Sequence, residues 1–211
     1  MIKVEKFLYN DYDDLNANTY VVYDENNNAV VIDPSVDNDS VSGFLDRHNL
    51  TPKAILLTHG HFDHIRGVDR LVKKYNVPLY IHFDEEDYLK DSQLNCSCYE
   101  NEFIVESNPI TVVDNETLKL LDEDEIRVIH TPFHTRGSVC YYFINNKLLF
   151  SGDTIFKMSV GRDDLPGAIP SKRRESLEKI KKLPLETKIY PGHGPNTVLK
   201  TELELNHFLR N

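Results

Sequence analysis

Cysteine is scarce in this chain: Cys96, Cys98 and Cys140 are the only three among 211 residues. An odd count without an export signal argues for reduced thiols and a cytoplasmic setting. Cys96-Ser97-Cys98 has the look of a metal or redox pair. It falls in a polar segment apart from the motifs described below, however, and reads as loop thiols. Long apolar runs are missing too, and nothing approaches the length of a membrane span. The start, Met1-Ile2-Lys3-Val4-Glu5-Lys6, alternates apolar and charged residues like a strand and lacks the apolar stretch of a signal peptide.

Positive charge is also in short supply. Asp and Glu outnumber Lys and Arg by 34 to 24, for a net charge of −10. Proteins that grip nucleic acid need a basic surface to neutralise phosphates, so that class of partner is excluded. The one basic cluster, Lys172-Arg173-Arg174, opens a stretch rich in Lys and Glu and reads as a solvated helix face. No linker, low-complexity segment or repeat divides the chain. Its length fits one domain spanning residues 1–211.

What is present is concentrated chemistry. Thr58-His59-Gly60-His61-Phe62-Asp63-His64 follows the apolar run Ala54-Ile55-Leu56-Leu57, which reads as a buried strand. Side chains leaving a strand alternate, which puts His59 and His61 on the same side. Asp63 and His64 come after the turn that Gly60 permits and can face a second point a few ångströms away. That is more donors than one tetrahedral ion takes from one local segment, so the spacing points to two ions.

Three later segments repeat the order of apolar strand, small residue and ligand. Val128-Ile129-His130-Thr131-Pro132-Phe133-His134 brings two histidines, Leu148-Leu149-Phe150-Ser151-Gly152-Asp153 an aspartate, and Ile189-Tyr190-Pro191-Gly192-His193 a further histidine. Donors from four strand ends are expected to converge on one sheet edge. His48, His82 and His207 fall outside these motifs and read as surface or packing residues.

The coarse layout has paired strands over 1–33 around a polar turn at 24–28. Helices are predicted at 38–49, 65–75, from a Ser171 N-cap to Lys182, and at 198–209, with an acidic helix inside 79–100. Further strands are predicted at 103–105, 110–113, 118–121, 126–130, 139–144 and 147–151. Strands with interspersed helices in two successive sets suggest two packed sheets with helices outside, an α/β (α+β) arrangement.

The motifs resemble those of the metallo-β-lactamase superfamily, and within it the glyoxalase II-like hydrolases. The family pattern is T-H-x-H-x-D-H, a histidine in H-T-P-x-H-T-x-G, an aspartate in G-D-T-[LI]-F and a histidine in G-H-G-P. All four occur here in order, and the resemblance runs from the first strands to Asn206. It implies a four-layer αββα sandwich without the C-terminal helical domain of full-length glyoxalase II.

It also implies that His59, His61 and His134 hold one divalent ion and that Asp63, His64 and His193 hold the other. Asp153 would bridge the two together with a water or hydroxide. Zinc is the first choice of metal, with iron or manganese as alternatives. His130 then becomes a strand-end residue or a partner orienting a ligand.

The implied activity is hydrolysis of a small acyl-thiol, such as an S-2-hydroxyacylglutathione. Metal coordination lowers the pKa of water from about 15.7 to about 7, so a bridging hydroxide is available as nucleophile. A thiolate leaving group, whose acid has a pKa of about 8.5, departs without a strong general acid. Asp63 and Asp153 are the candidate catalytic carboxylates, and Asp63 could alternatively take a proton from the water.

Arg162 corresponds to a basic residue that binds a glutathione carboxylate in glyoxalase II, but Asp164 stands where the family has a tyrosine. A salt bridge to neighbouring acids is the competing role for Arg162. The alternative activity is a persulfide dioxygenase with a single iron on His59, His134 and Asp153. Lactone or β-lactam hydrolysis is a lesser variant. A non-catalytic metal-binding protein is disfavoured because every ligand position is intact.

Overall fold

The computed structural model of the chain describes residues 1–8 and 16–210. Strands β1 (Lys3–Phe7), β2 (Thr19–Tyr23) and β3 (Asn28–Ile32) form an antiparallel meander. Residues 9–15, expected within this paired-strand region, lie outside the described residues. Helix α1 (Ser40–Arg47) leads to β4 (Thr51–Leu56), parallel to β3. Helices α2 (Phe62–Ile65) and α3 (Val68–Tyr75) lead to β5 (Leu79–His82), and β6 (Ile110–Val112) completes a six-stranded sheet in sequence order.

The second half repeats the plan. Strands β7 (Thr117–Leu118), β8 (Ile126–His130), β9 (Val139–Phe143) and β10 (Leu148–Gly152) run antiparallel. A small hairpin of β11 (Ile155–Phe156) and β12 (Ser159–Val160) precedes helix α4 (Arg173–Lys181). Strand β13 (Lys188–Pro191) is parallel to β10, and β14 (Thr197–Val198) and helix α5 (Leu199–Leu205) follow. The second sheet, also six-stranded, has the order β14-β13-β10-β9-β8-β7.

Strand alternation explains the layering. In β2 to β4, Tyr20, Val22, Val30, Ile32, Ala54 and Leu56 face Val128, Val139, Tyr141, Phe143 and Phe150 of the second sheet. The intervening Val21, Val31 and Ile55 face the other way and pack under Val41, Leu45 and Leu71 of α1 and α3. On the far side, Cys140, Tyr142, Leu149 and Ile189 are covered by Leu177, Ile180 and Leu199 of α4 and α5. The central strands β2, β3, β9 and β10 thus bury both faces, as the middle layers of an αββα sandwich require.

Several expected elements came out differently. The helix expected at 65–75 runs only from Val68 to Tyr75, and Ile65 ends a separate short helix before Gly67, whose amide bonds Pro34 O at 2.8 Å. A Cβ at Gly67 would lie 2.6 Å from Val36 O, so this close approach demands glycine. Residues 103–105 form no strand. Their backbone groups are taken by Asn95, Ser97, Leu89 and Lys90 instead of a sheet partner. The acidic helix is 3-10 over Phe83–Leu89, and the last helix ends at Leu205, before a 3-10 turn at His207–Leu209. Ser171 is no N-cap: it lies in a 3-10 turn, Pro170–Lys172, that runs straight into α4.

Candidate metal centre

The ligand-bearing segments all leave strands at one edge of the sandwich: β4 before His59, β8 before His134, β10 before Asp153 and β13 before His193. Main-chain bonds lace the two sheets together there. Val139 N donates to Thr58 O at 2.8 Å and Asn18 N to Gly192 O at 2.6 Å, and within the second sheet Gly192 N donates to Gly152 O at 2.8 Å. The Tyr141 hydroxyl donates to Leu57 O at 2.9 Å. Glycine is needed at position 192 because a Cβ there would stand 2.2 Å from Asp153 Oδ1 and 2.8 Å from His64 Cε1.

Three buried imidazole nitrogens converge. His61 Nδ1 is 3.1 Å from His59 Nε2 and 3.0 Å from His134 Nε2. Such spacing is close to the roughly 3.3 Å edge of a tetrahedral set with metal–nitrogen bonds of about 2.05 Å. Beside it, His193 Nε2 lies 3.1 Å from Asp63 Oδ2, and His64 Nε2 lies 3.6 Å from the same oxygen. Asp153 stands between the two groups. Its Oδ1 is 3.4 Å from His64 Nε2, and its Oδ2 is 3.5 Å from His134 Nε2 and 3.7 Å from His193 Nε2.

The outward ring nitrogens of His134, His64 and His59 are fixed by partners that determine which nitrogen is free. His134 Nδ1 donates to the Arg162 carbonyl at 2.7 Å, which leaves Nε2 as the lone-pair atom. His64 Nδ1 donates to Asp33 Oδ2 at 2.9 Å. The Thr58 hydroxyl donates to the same Asp33 oxygen at 2.6 Å and lies 3.1 Å from His59 Nδ1, from which it accepts. His64 Nε2 and Asp153 Oδ1 are buried without a hydrogen-bond partner. Buried polar atoms left in that state are costly unless a ligand takes them. The donor set and its free atoms fit divalent metal ions.

Electrostatics divides the site. Burial, reinforced by the neighbouring His134, pushes His61 down to about 3, and burial likewise pushes His59 well below its usual value. These imidazoles are therefore neutral, the form that binds metal. Burial opposes a charge on His64, but the carboxylates of Asp63, Asp33 and Asp153 outweigh it and raise its pKa. Burial likewise opposes charge on Asp153, and His193, His64 and His134 overcome it and hold the carboxyl well below its usual range.

A cavity of about 530 Å³ opens over this centre, within the usual volume of a small-molecule site. Phe62, Phe156, Val160 and Leu165 supply apolar wall. Arg162 also lines it, with its guanidinium spread across Asp164: Nε to Oδ1 at 2.7 Å and a terminal nitrogen to Oδ2 at 2.9 Å. The expectation that Cys96 lies apart from the ligand motifs is corrected, because Cys96 is part of the cavity wall beside Asp63 and His61. The excursion carrying it folds back over the metal loop, where Phe62 N donates to Asn95 O at 2.9 Å. Burial, followed by the neighbouring Cys98, pushes its thiol up to about 11, which leaves it protonated.

Sequence reasoning missed two residues. Asp33 carries an intelligible trace, a carboxylate at the end of a buried strand, but its role depends on segments 25 and 31 positions away. Glu85, fully buried, was hidden in an acidic run; it accepts from Gly60 N at 2.8 Å and Gly137 N at 2.9 Å. His82 and His130, with Asp84, form a further cluster. The two rings stack at 4.0 Å and 15°, so their in-plane lone pairs run parallel instead of converging. His130 Nε2 is already held by Arg136 O at 2.9 Å, consistent with its exclusion from the ligand set.

Fold and site together define a metallo-hydrolase scaffold, and the chain belongs to the metallo-beta-lactamase superfamily, which it matches over residues 12–193. It is 34% identical to the probable metallo-hydrolase YqgX of Bacillus subtilis, over 92% of this chain and 93% of that one. The hydroxyacylglutathione hydrolase of Pelagibacter ubique is 31% identical over 83% of this chain and 65% of its own length. The crystal structure of BLEG-1 B3 metallo-beta-lactamase superposes with a TM-score of 0.91 at 36% identity, covering 99% of this chain and 100% of that one. Among the described residues, no helix is long and apolar enough to cross a membrane.

Proposed function

We propose that this protein is a dinuclear metal-dependent hydrolase of a small thioester. In this reading His59, His61 and His134 hold one ion, Asp63, His64 and His193 the second, and Asp153 is shared. The observation that carries it is the position of Asp153, whose Oδ2 faces His134 of one group and His193 of the other while its Oδ1 faces His64. The mixed imidazole and carboxylate donors suit zinc first, with iron or manganese also accommodated. A bound pair supplies Lewis acidity and brings the pKa of water down from about 15.7 to about 7.

The chain's own residues do the rest. Arg162 O, Thr58 and Asp33 hold the imidazoles in the tautomer that presents a lone pair inward. Apolar side chains of the cavity limit water around the acyl group. Among the described residues outside the ligand set, the cavity wall carries no buried carboxylic acid to protonate a leaving group, and Glu100 is exposed. A thiolate, which leaves unassisted, fits that wall better than an alkoxide or amide nitrogen. Arg162 is placed to meet a substrate carboxylate by exchanging it for Asp164. The partner is then a small acyl-thiol rather than a nucleic acid, in keeping with the net charge of −10.

The test is metal analysis of purified protein combined with turnover assays on lactoylglutathione, neutral thioesters, a β-lactam and a persulfide. Two equivalents of metal with thioester cleavage are expected. A single iron with oxygen consumption on the persulfide would replace this reading with a dioxygenase. Cleavage confined to the β-lactam would move the substrate class.

A further inference from the structure

We propose that Glu85 is a positioning residue for the His59/His61/His134 triad, holding the two loops that carry these histidines in register through one carboxylate. The inference rests on the reading that this triad binds metal. Gly60 lies between His59 and His61, and Gly137 lies three residues after His134. Glu85 Oε2 accepts from the first amide at 2.8 Å and Oε1 from the second at 2.9 Å. The side chain is 0% exposed, so neither bond competes with water.

Packing around Glu85 is built for this contact. A Cβ on Gly60 would stand 2.4 Å from Tyr88 Cβ, and one on Gly137 would stand 2.6 Å from Glu85 Cγ. Glycine at both positions lets the Phe83–Leu89 segment lie directly on the two backbones. That segment is itself anchored by Arg136, which donates to Asp84 O at 2.9 Å, pairs with Asp87 and stands 5.3 Å over the Tyr88 ring. The second ligand group, Asp63, His64 and His193, is tied instead to Asp33 and to the Gly192 loop. Loss of the carboxylate should therefore act on one group only.

The experiment measures zinc affinity by chelator competition in two parent proteins. His193→Ala retains the triad, and His61→Ala retains the other group. Glu85→Gln keeps the shape of the side chain, but its amide nitrogen faces a backbone N–H that the carboxylate had bound. In the His193→Ala parent it is expected to weaken zinc binding on the order of 10- to 100-fold, the range for partners that orient ligands. In the His61→Ala parent it should change affinity by no more than about twofold, well below that range. Arg136→Ala, a change at a half-exposed side chain, should give the same one-sided loss in smaller measure, and decides the matter if Glu85→Gln does not fold. Equal losses in both parents, or none in either, would overturn the proposal. A His193→Ala parent that binds no zinc at all would instead remove the underlying assignment of the triad, and the proposal with it.

Discussion

Asp33 and His64 form a buried pair, with Nδ1 of the imidazole 2.9 Å from Oδ2 of the carboxylate, and that oxygen also receives the Thr58 hydroxyl at 2.6 Å. Through Thr58 the same carboxylate reaches His59, so one side chain behind the site orients histidines assigned to both ions. The backbone of Asp33 adopts φ +47, a conformation that side-chain-bearing residues rarely take and that the surrounding contacts hold in place.

Asp33→Ala should consequently weaken retention of both metals, by about 10- to 100-fold each. Metal content per chain after a fixed exposure to chelator checks this. Retention of the His59/His61/His134 ion at wild-type strength would show that the Thr58 relay carries no orientation.

Asp153→Ala is expected to abolish most turnover and to weaken both ions, by about tenfold or more each. A carboxylate shared between two cations cannot be removed from one alone. Loss of a single equivalent, measured by elemental analysis alongside the thioester assay, would make Asp153 a ligand to one ion only.

Arg162 and Asp164 test substrate recognition. Their pair is exposed, and pairs of that kind are held weakly enough for a substrate carboxylate to displace Asp164. Arg162→Ala should raise KM for a carboxylate-bearing thioester about tenfold with kcat and metal content little changed. Asp164→Asn, which frees the guanidinium, should lower the same KM by up to about fivefold. Neutral thioesters should respond to neither change. Equal responses from charged and neutral substrates would assign Arg162 to holding its loop.

Asp24 sets a pH dependence of stability away from the site. Burial raises its pKa, but bonds from the Asp122 amide, the Asn28 side chain and the amides of Asn28 and Asn26 outweigh this and leave it below the usual value. A depressed folded-state pKa contributes stability above the unfolded value of about 3.9 and loses it as pH falls through the folded one. Asp24→Asn should thus be less stable than the parent near neutral pH, by about 1–3 kcal/mol for the bonds lost. The difference should shrink below about pH 3.9. Thermal unfolding of both proteins across that range reads it, and a gap that does not change with pH would assign the loss to shape alone.

The two-sheet sandwich was legible because its signals are local. Four apolar strands run into a candidate ligand within one to four residues, and β8, β9, β10 and β13 appear where alternation and β-branched residues put them. The failures share a cause. Gly67 breaks the 65–75 helix because Pro34 and Val36 press on it from another segment, and 103–105 stays irregular because remote side chains saturate its backbone.

The sequence by itself determined the candidate ligand residues and their order along the chain, since histidine and aspartate at fixed offsets from strand ends need no distant partner to be recognised. Only the tertiary structure decided what aims them. Asp33 reaching Thr58 and His64, Glu85 joining Gly60 to Gly137, and Cys96 arriving on the cavity wall are contacts between segments far apart in the chain. No local pattern encodes them, because they exist only once two sheets have packed and brought their strand ends to a common edge.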